Sequence, residues 1–291
     1  MSVTAPSSVV ALDVGGTHVT AGRVDVATRT VRSLVRRSFP EGADRSQLLG
    51  LISAAALEAA AGPAPHVGVA VPGPFDYARG ISRLAHKLEP LFGVDLRKEL
   101  AASLGTPPSA IDFVNDADAF LLGEWWAGAA AGHRRAAGVT LGTGLGSAYL
   151  DDGRIVDTGP HVPPEGSLHL VEHRGRPAED TVSRRALLAS YGEPGLDVKD
   201  VALRARAGDR RAQDVFAELA VALGELAAPW LTAFEATCFV VGGSISQAWV
   251  LLSPGLRVGL SSVPLLQTIA PAVHVEEAAL LGAAYRASQA A

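Results

Sequence analysis

The chain has 291 residues, of which 48% are hydrophobic and 19% charged, with a formal net charge of -5. This length suits two domains that each bury a core. The acidic balance, with no clustered Lys and Arg run, excludes nucleic acid as the main partner, because binding phosphates needs grouped cations. The one cysteine, Cys238, rules out an intrachain disulfide and falls in the apolar run Cys238-Phe239-Val240-Val241, which predicts a core position. No apolar stretch reaches the roughly 20 residues of a membrane span. The N-terminus lacks a charged segment followed by a long apolar one. The expectation is a soluble cytoplasmic protein.

In chain order, residues 8–14 read as a short buried strand stopped by Gly15-Gly16. His18 to Asp25 reads as the returning strand, and part of Thr30–Phe39 as a third. Apolar residues at three- and four-residue spacings, including Leu48, Leu49, Ile52, Ala56 and Leu57, predict a helix over Arg45–Ala61. His66–Val71 is an apolar strand ended by Pro72-Gly73-Pro74. Ile111–Asn115 is a strand that delivers Asp116 and a helix from about Ala117. The opening pattern then recurs: an apolar run over Ala137–Thr143, a Gly-rich turn at Gly142-Thr143-Gly144-Leu145-Gly146, and a return over Ser147–Leu150. A third turn, Gly242-Gly243-Ser244, follows the strand at Phe239. A pattern that appears twice is what a duplicated fold leaves behind, and strands alternating with helices predict an α/β architecture. The expected division is a smaller domain over 1–115, joined by a C-terminal helix over 276–291, and a larger one over 116–275.

Asp13-Val14-Gly15-Gly16-Thr17 combines two glycines, which let backbone approach a ligand closely, with turn N–H groups that can cradle phosphate oxygens. Asp13 adds a carboxylate for Mg²⁺. The plainer alternative is a tight hairpin turn. Gly142 to Ser147 repeats the logic. Neither turn is a P-loop, since no Gly-Lys-Ser/Thr follows. Neither fits the dinucleotide fingerprint, whose last glycine opens a helix where a strand is predicted here. Asn115-Asp116-Ala117-Asp118 lies at a strand-to-helix junction. A kinase needs a carboxylate there to orient an acceptor hydroxyl and take its proton, although Asp116 or Asp118 as a plain helix cap accounts for the same residues. Glu165, His169 and Glu179 lie in a polar, loop-like stretch and suit a ligand rich in hydroxyls; solvated surface is the alternative. His161 and His173 do not complete a metal-binding spacing, so no metal site built from this chain alone is expected.

Five segments taken together resemble the ROK family of repressors, open reading frames and kinases: Asp13–Thr17, Pro72–Pro74, Asn115–Ala119, Gly142–Gly146 and Gly242–Ser246. The ending Glu277–Ala284 also resembles the family's final helix. The resemblance implies the actin-like, ribonuclease-H-like ATPase fold, two α/β domains around a cleft. It implies an ATP- and Mg²⁺-dependent sugar kinase with Asp116 as base and Asn115, Asp116, Glu165, His169 and Glu179 on the sugar. By the same carry-over, Asp13, Gly15, Gly16, Thr17, Gly142, Thr143, Gly144 and Gly146 serve the phosphates, Gly242 and Gly243 lie against the adenosine, and the enzyme is a homodimer. Three departures stand out. His169–Ala178 contains none of the family's zinc-binding cysteines, so no structural zinc is expected. The family's Gly-Glu-x-Gly-His signature is altered to Pro164-Glu165-Gly166-Ser167-Leu168-His169. His18 stands where Lys often follows the first motif. Polyphosphate glucokinases of the family also lack the cysteines, which keeps polyphosphate open as donor. A non-catalytic sugar-binding regulator is a further alternative. The family's repressors carry an added helix-turn-helix before the first motif; Asp13 follows only 12 residues, so none is expected here.

Overall fold

The computed structural model of the chain describes residues 6–62, 66–85 and 88–290. The chain divides into two compact units, the first running to Gly128 and resuming at Glu276, the second spanning Ala129–Val275.

The first unit opens with strands β1 (Ser8–Val14), β2 (His18–Asp25) and β3 (Thr30–Ser38), then helix α1 (Arg45–Ala60) and strand β4 (Val67–Val71). A short hairpin of β5 (Phe75–Asp76) and β6 (Ile81–Ser82) precedes α2 (Leu96–Leu104), β7 (Ile111–Asn115) and α3 (Asp116–Ala127). The second unit contains β8 (Arg135–Leu141), β9 (Leu145–Asp151), β10 (Arg154–Ile155), a hairpin of β11 (Glu172–His173) and β12 (Arg176–Pro177), then α4 (Arg184–Tyr191), α5 (Val198–Arg206) and α6 (Arg210–Ala233). It ends with β13 (Cys238–Gly242), α7 (Trp249–Gly259) and β14 (Thr268–Pro271), after which α8 (Ala278–Gln289) returns to the first unit.

Each unit is built on a five-stranded sheet, in the order β3-β2-β1-β4-β7 in the first and β10-β9-β8-β13-β14 in the second. In both, an antiparallel meander of three strands leads into two parallel ones. The repeated strand–turn–strand pattern of the sequence is therefore a repeated topology. Val10, Leu12, Val14, Val19 and Ala21 face a core shared with Leu48, Ile52 and Ala56 of α1. Asp44 and Gln47 start α1 with a reciprocal capping box. In the second unit Val139, Leu141, Phe239 and Val241 pack with Phe216, Leu219 and Leu223 of α6. Among the described residues, α6 is the one helix long and apolar enough to match a membrane span by length and composition, and 61% of that stretch is buried in the core.

The boundary expected at 115 falls instead after Gly128. The physical reason is the approach of α3 to α8. A β-carbon on Gly123 would lie 2.0 Å from the Ala278 carbonyl oxygen, and one on Gly282 would lie 1.8 Å from that of Ala119. One on Gly68 of β4 would stand 2.1 Å from the Ala283 oxygen. Backbone meets backbone at all three points, so α3 and α8 form one layer on the first sheet. Trp125 and Trp126 lie with their ring centroids 5.7 Å from that of Tyr285 on α8.

Gly282→Ala forces backbone apart, since an inserted methyl in a filled core typically costs 1–3 kcal/mol or more. The melting temperature is expected to fall by roughly 5 °C or more. Gly50→Ala is the control: it lies on the exposed side of α1 with open space around it, and is expected to raise stability by about 0.5–1 kcal/mol. Thermal unfolding of both variants checks this.

Candidate active site

In the first unit, β1, β4 and β7 run parallel, with Asp13 paired to Ala70 and Val71 to Asn115. Their carboxyl ends therefore lie side by side and carry Gly15-Gly16-Thr17, Pro72-Gly73-Pro74 and Asn115-Asp116. This is the edge where open α/β sheets hold ligands. The β1–β2 turn is tight: Gly15 N–H donates to the His18 carbonyl at 2.9 Å, and Phe39 N–H to that of Thr17 at 2.8 Å. Gly15 thus uses its own N–H within the turn.

Asn115 is the N-cap of α3. Its Oδ1 accepts from Ala117 N at 2.9 Å and Asp118 N at 3.3 Å. Asn115 is thus the N-cap; Asp116 and Asp118 occupy the first helical turn, where carboxylates suit the helix dipole, and Asp116 Oδ1 shares the Ala117 N–H at 2.9 Å. Asn115 Oδ1 is consequently committed to the helix. Its Nδ2 donates to the Tyr77 hydroxyl at 3.0 Å, and Tyr77 Oη donates to the Val71 carbonyl at 3.3 Å. Burial raises the phenol above its ordinary range, with the carboxylates of Asp116 and Asp118 adding to the rise. Tyr77 went unrecognised in the sequence, where the only signal was an aromatic residue just beyond Pro72-Gly73-Pro74.

Asp13 is pushed up to about 7, first by desolvation and then by the negative charge of Asp116, while Arg36 opposes the rise. Asp13 keeps some solvent-accessible surface, yet its carboxyl is closely surrounded by protein atoms, and that crowding sets its titration. In the second unit the β8–β9 turn, the β13 turn and the start of α4 gather at one end of the sheet. A β-carbon on Gly243, whose φ is 81°, would lie 2.3 Å from the Leu141 carbonyl oxygen, so only glycine fits against the end of β8. Arg184 N–H donates to the Gly142 carbonyl at 3.0 Å. Gly146 belongs to the β9 ladder, opposite Thr140. Glu179 Oε1 accepts from Leu145 N–H at 2.9 Å, which places a carboxylate against the turn expected to hold phosphate.

Two residues apart on β9, Ser147 Oγ donates to the Gly166 carbonyl and accepts from Leu168 N–H, each at 2.8 Å. Leu145 and Ser147 thus moor the two segments that carry Glu179 and the pair Glu165 and His169. Both Glu165 and His169 are exposed, and Glu165 has a left-handed backbone with φ 54°. His173, weighed as a metal ligand, is buried and bonded instead to Thr181 at 3.1 Å and Glu225 at 3.3 Å. Asn115 and Asp116 belong to the first unit, and Glu165, His169 and Glu179 to the second.

No group of three or more His, Cys, Asp or Glu among the described residues forms a metal cage. Asp13, a carboxylate directly before the first glycine turn, is a donor of the kind that suits Mg²⁺. That ion commonly binds one or two carboxylates plus substrate phosphates and keeps several waters. Because the folded state raises the Asp13 value above 3.8, the associated stability is present below about pH 4 and lost as pH rises through about 7. In Mg²⁺-free buffer, unfolding free energy is expected to fall across that window, and Asp13→Asn to remove the decline. Denaturant titrations at a series of pH values check this; equal slopes for both proteins contradict it.

The ROK family model matches residues 9–290. The glucokinase of Thermotoga maritima is 30% identical over 94% of this chain and 95% of its own length. The crystal structure of a ROK family glucokinase from Streptomyces griseus, in complex with glucose and AMPPNP, superposes with a TM-score of 0.79 at 26% identity, covering 97% of this chain and 99% of that one. An inorganic polyphosphate/ATP-glucomannokinase from Arthrobacter sp. strain KM superposes with a TM-score of 0.70 at 29% identity, over 98% and 99%. The strand order, the glycine turns and these likenesses agree on the actin-like, ribonuclease-H-like ATPase fold, and the chain belongs to the ROK family.

Proposed function

We propose that the chain is an ATP-dependent sugar kinase of the cytoplasm, acting on a hydroxyl of a hexose or a related polyol. The observation that carries the reading is the placement of Asp116, on the first turn of α3 at the carboxyl edge of the sheet, coupled to Asp13 beside the first glycine turn. Asp116 orients the acceptor hydroxyl. As the sugar oxygen bonds to the γ-phosphorus, the bond from phosphorus to the β–γ bridging oxygen breaks and ADP departs. The hydroxyl proton passes to the Asp116 carboxylate. In such a loose transition state the enzyme mainly positions groups and stabilises charge. Mg²⁺, held through Asp13, would neutralise the phosphate oxygens.

The remaining assignments follow the same reading. The second N–H of Asn115 Nδ2 is the part of that side chain left for a sugar oxygen. Glu165, His169 and Glu179 receive further sugar hydroxyls. Gly16, Thr17, Thr143 and Gly144 offer turn backbone to phosphates, and Gly242-Gly243 to the adenosine. The Arthrobacter enzyme, named for both donors, supports inorganic polyphosphate as a second donor. The carboxylate at Asp116 weighs against a purely regulatory sugar-binding role.

A panel of hexoses, N-acetylhexosamines and polyols, assayed with ATP and separately with polyphosphate, tests the reading; no turnover with any pair refutes it. With the best sugar, Asp116→Asn is expected to lower kcat by at least about 100-fold and leave nucleotide affinity nearly unchanged. Asp118→Asn should matter far less. Near-full kcat in Asp116→Asn removes it as the base. We also propose a homodimer, supported by the exposed apolar side chains Val250 and Val258 on α7. Light scattering at micromolar concentration that returns the 30.0 kDa of a single chain contradicts it.

A further inference from the structure

We infer that Tyr77 is a positioning residue for the acceptor sugar: it acts through Asn115, fixing the amide whose remaining N–H meets a sugar oxygen. The inference rests on the kinase reading and adds a residue to it.

The argument begins with hydrogen-bond capacity. An Asn amide has one oxygen and two N–H donors. Asn115 Oδ1 faces the α3 N-terminus, where two backbone N–H groups meet it. That fixes which end of the amide is oxygen, since only oxygen can accept there. Nδ2 therefore points away from the helix, and its bond to Tyr77 Oη sets the amide plane. Tyr77 in turn donates its proton to the Val71 carbonyl. The result is a one-way chain, Asn115 N–H to Tyr77 O–H to Val71 C=O, in which each bond polarises the next. It joins the carboxyl end of β4 to the carboxyl end of β7, beside Asp116.

The turn that presents Tyr77 is anchored from several directions. Asp76 Oδ1 accepts from Arg79 N at 3.0 Å, and the Asp76 carbonyl accepts from Gly80 N at 2.7 Å. Arg97 Nη2 donates to the carbonyls of Tyr77 at 3.3 Å and Ala78 at 3.2 Å. The guanidinium of Arg97 also covers the Phe113 ring at 5.5 Å. The Tyr77 ring centroid is 5.2 Å from that of Phe75, which lies 5.1 Å from Phe113. The phenol is thus held against Asn115 by packed surroundings. A β-carbon on Gly73 would stand 3.6 Å from Tyr77 Oη and 3.9 Å from Asn115 Nδ2, so any side chain at this position of Pro72-Gly73-Pro74 would sit against the pair.

Tyr77→Phe removes one hydroxyl and retains the ring contacts. A net hydrogen bond of ordinary strength corresponds to a change of about 3- to 10-fold. The expected result is a rise of about that size in the KM for the sugar, with the KM for the donor unchanged and the melting temperature nearly so. Asn115→Ser keeps a capping oxygen and deletes the amide N–H. In that background Tyr77→Phe is expected to raise the sugar KM no further, because the link through which it acts is gone. Additive effects in the double variant, an unchanged sugar KM in Tyr77→Phe, or equal losses toward sugar and donor overturn the inference. A readout independent of turnover separates this from the kinase reading. In ¹H–¹⁵N spectra of the full chain, the Asn115 side-chain amide should exchange slowly with solvent in the wild type and faster in Tyr77→Phe. Slow exchange that is lost in Tyr77→Phe, in a protein that phosphorylates no sugar, would refute the kinase reading and the sugar-positioning role while leaving the Tyr77–Asn115 bond in place. Identical exchange in the two proteins would refute the bond's role.

Discussion

Ala119 and Gly282 approach so closely that no side chain fits between them, and Gly123 and Ala278 do the same along the same pair of helices. This contact sets where α3 lies on the first sheet. The N-terminus of α3 carries Asp116, so a contact made by α8, far along the chain, fixes the depth and direction of the group proposed as the base. The capping amide of Asn115 and the phenol of Tyr77 are built outward from that end. Loosening the helix pair would move the acceptor groups together relative to the β1–β2 turn.

The two units solve one problem twice. Each places a three-stranded antiparallel meander and two parallel strands so that glycine turns gather at the carboxyl edge. They differ in what they add there. The first unit adds the helix with Asn115 and Asp116. The second adds a long excursion between β10 and α4, moored to β9 through Leu145 and Ser147. Where the family pattern has cysteines, this chain holds a two-stranded hairpin. His173 and Arg174 of that hairpin meet Glu225 of α6, so polar contacts anchor the segment that leads to Glu179.

Much of this was legible in the sequence, because short apolar runs stopped by glycine pairs leave little freedom: β1, β2, β4, β7 and β13 fall within a residue or two of expectation. The boundary at 115 was misread because a strand-to-helix junction looks like a domain edge locally. What assigns α3 to the first unit is a glycine more than 150 positions later. Asn115 looked like a ligand, and its capping role emerged only from the geometry of Ala117 and Asp118. Tyr77 was missed because its importance lies in a contact with a residue 38 positions away, which periodicity does not encode. Glu179 was read as a sugar group, and nothing in its neighbours signalled the bond to Leu145.

The central claim is transfer of a phosphoryl group from ATP to a sugar hydroxyl. ³¹P NMR of the purified protein with ATP, Mg²⁺ and a hexose panel reads that transfer directly. The account predicts that the γ-phosphate resonance declines while ADP and a phosphomonoester signal on the sugar grow in equal amounts. Growth of inorganic phosphate alone, or an unchanged ATP spectrum with every sugar, would contradict it.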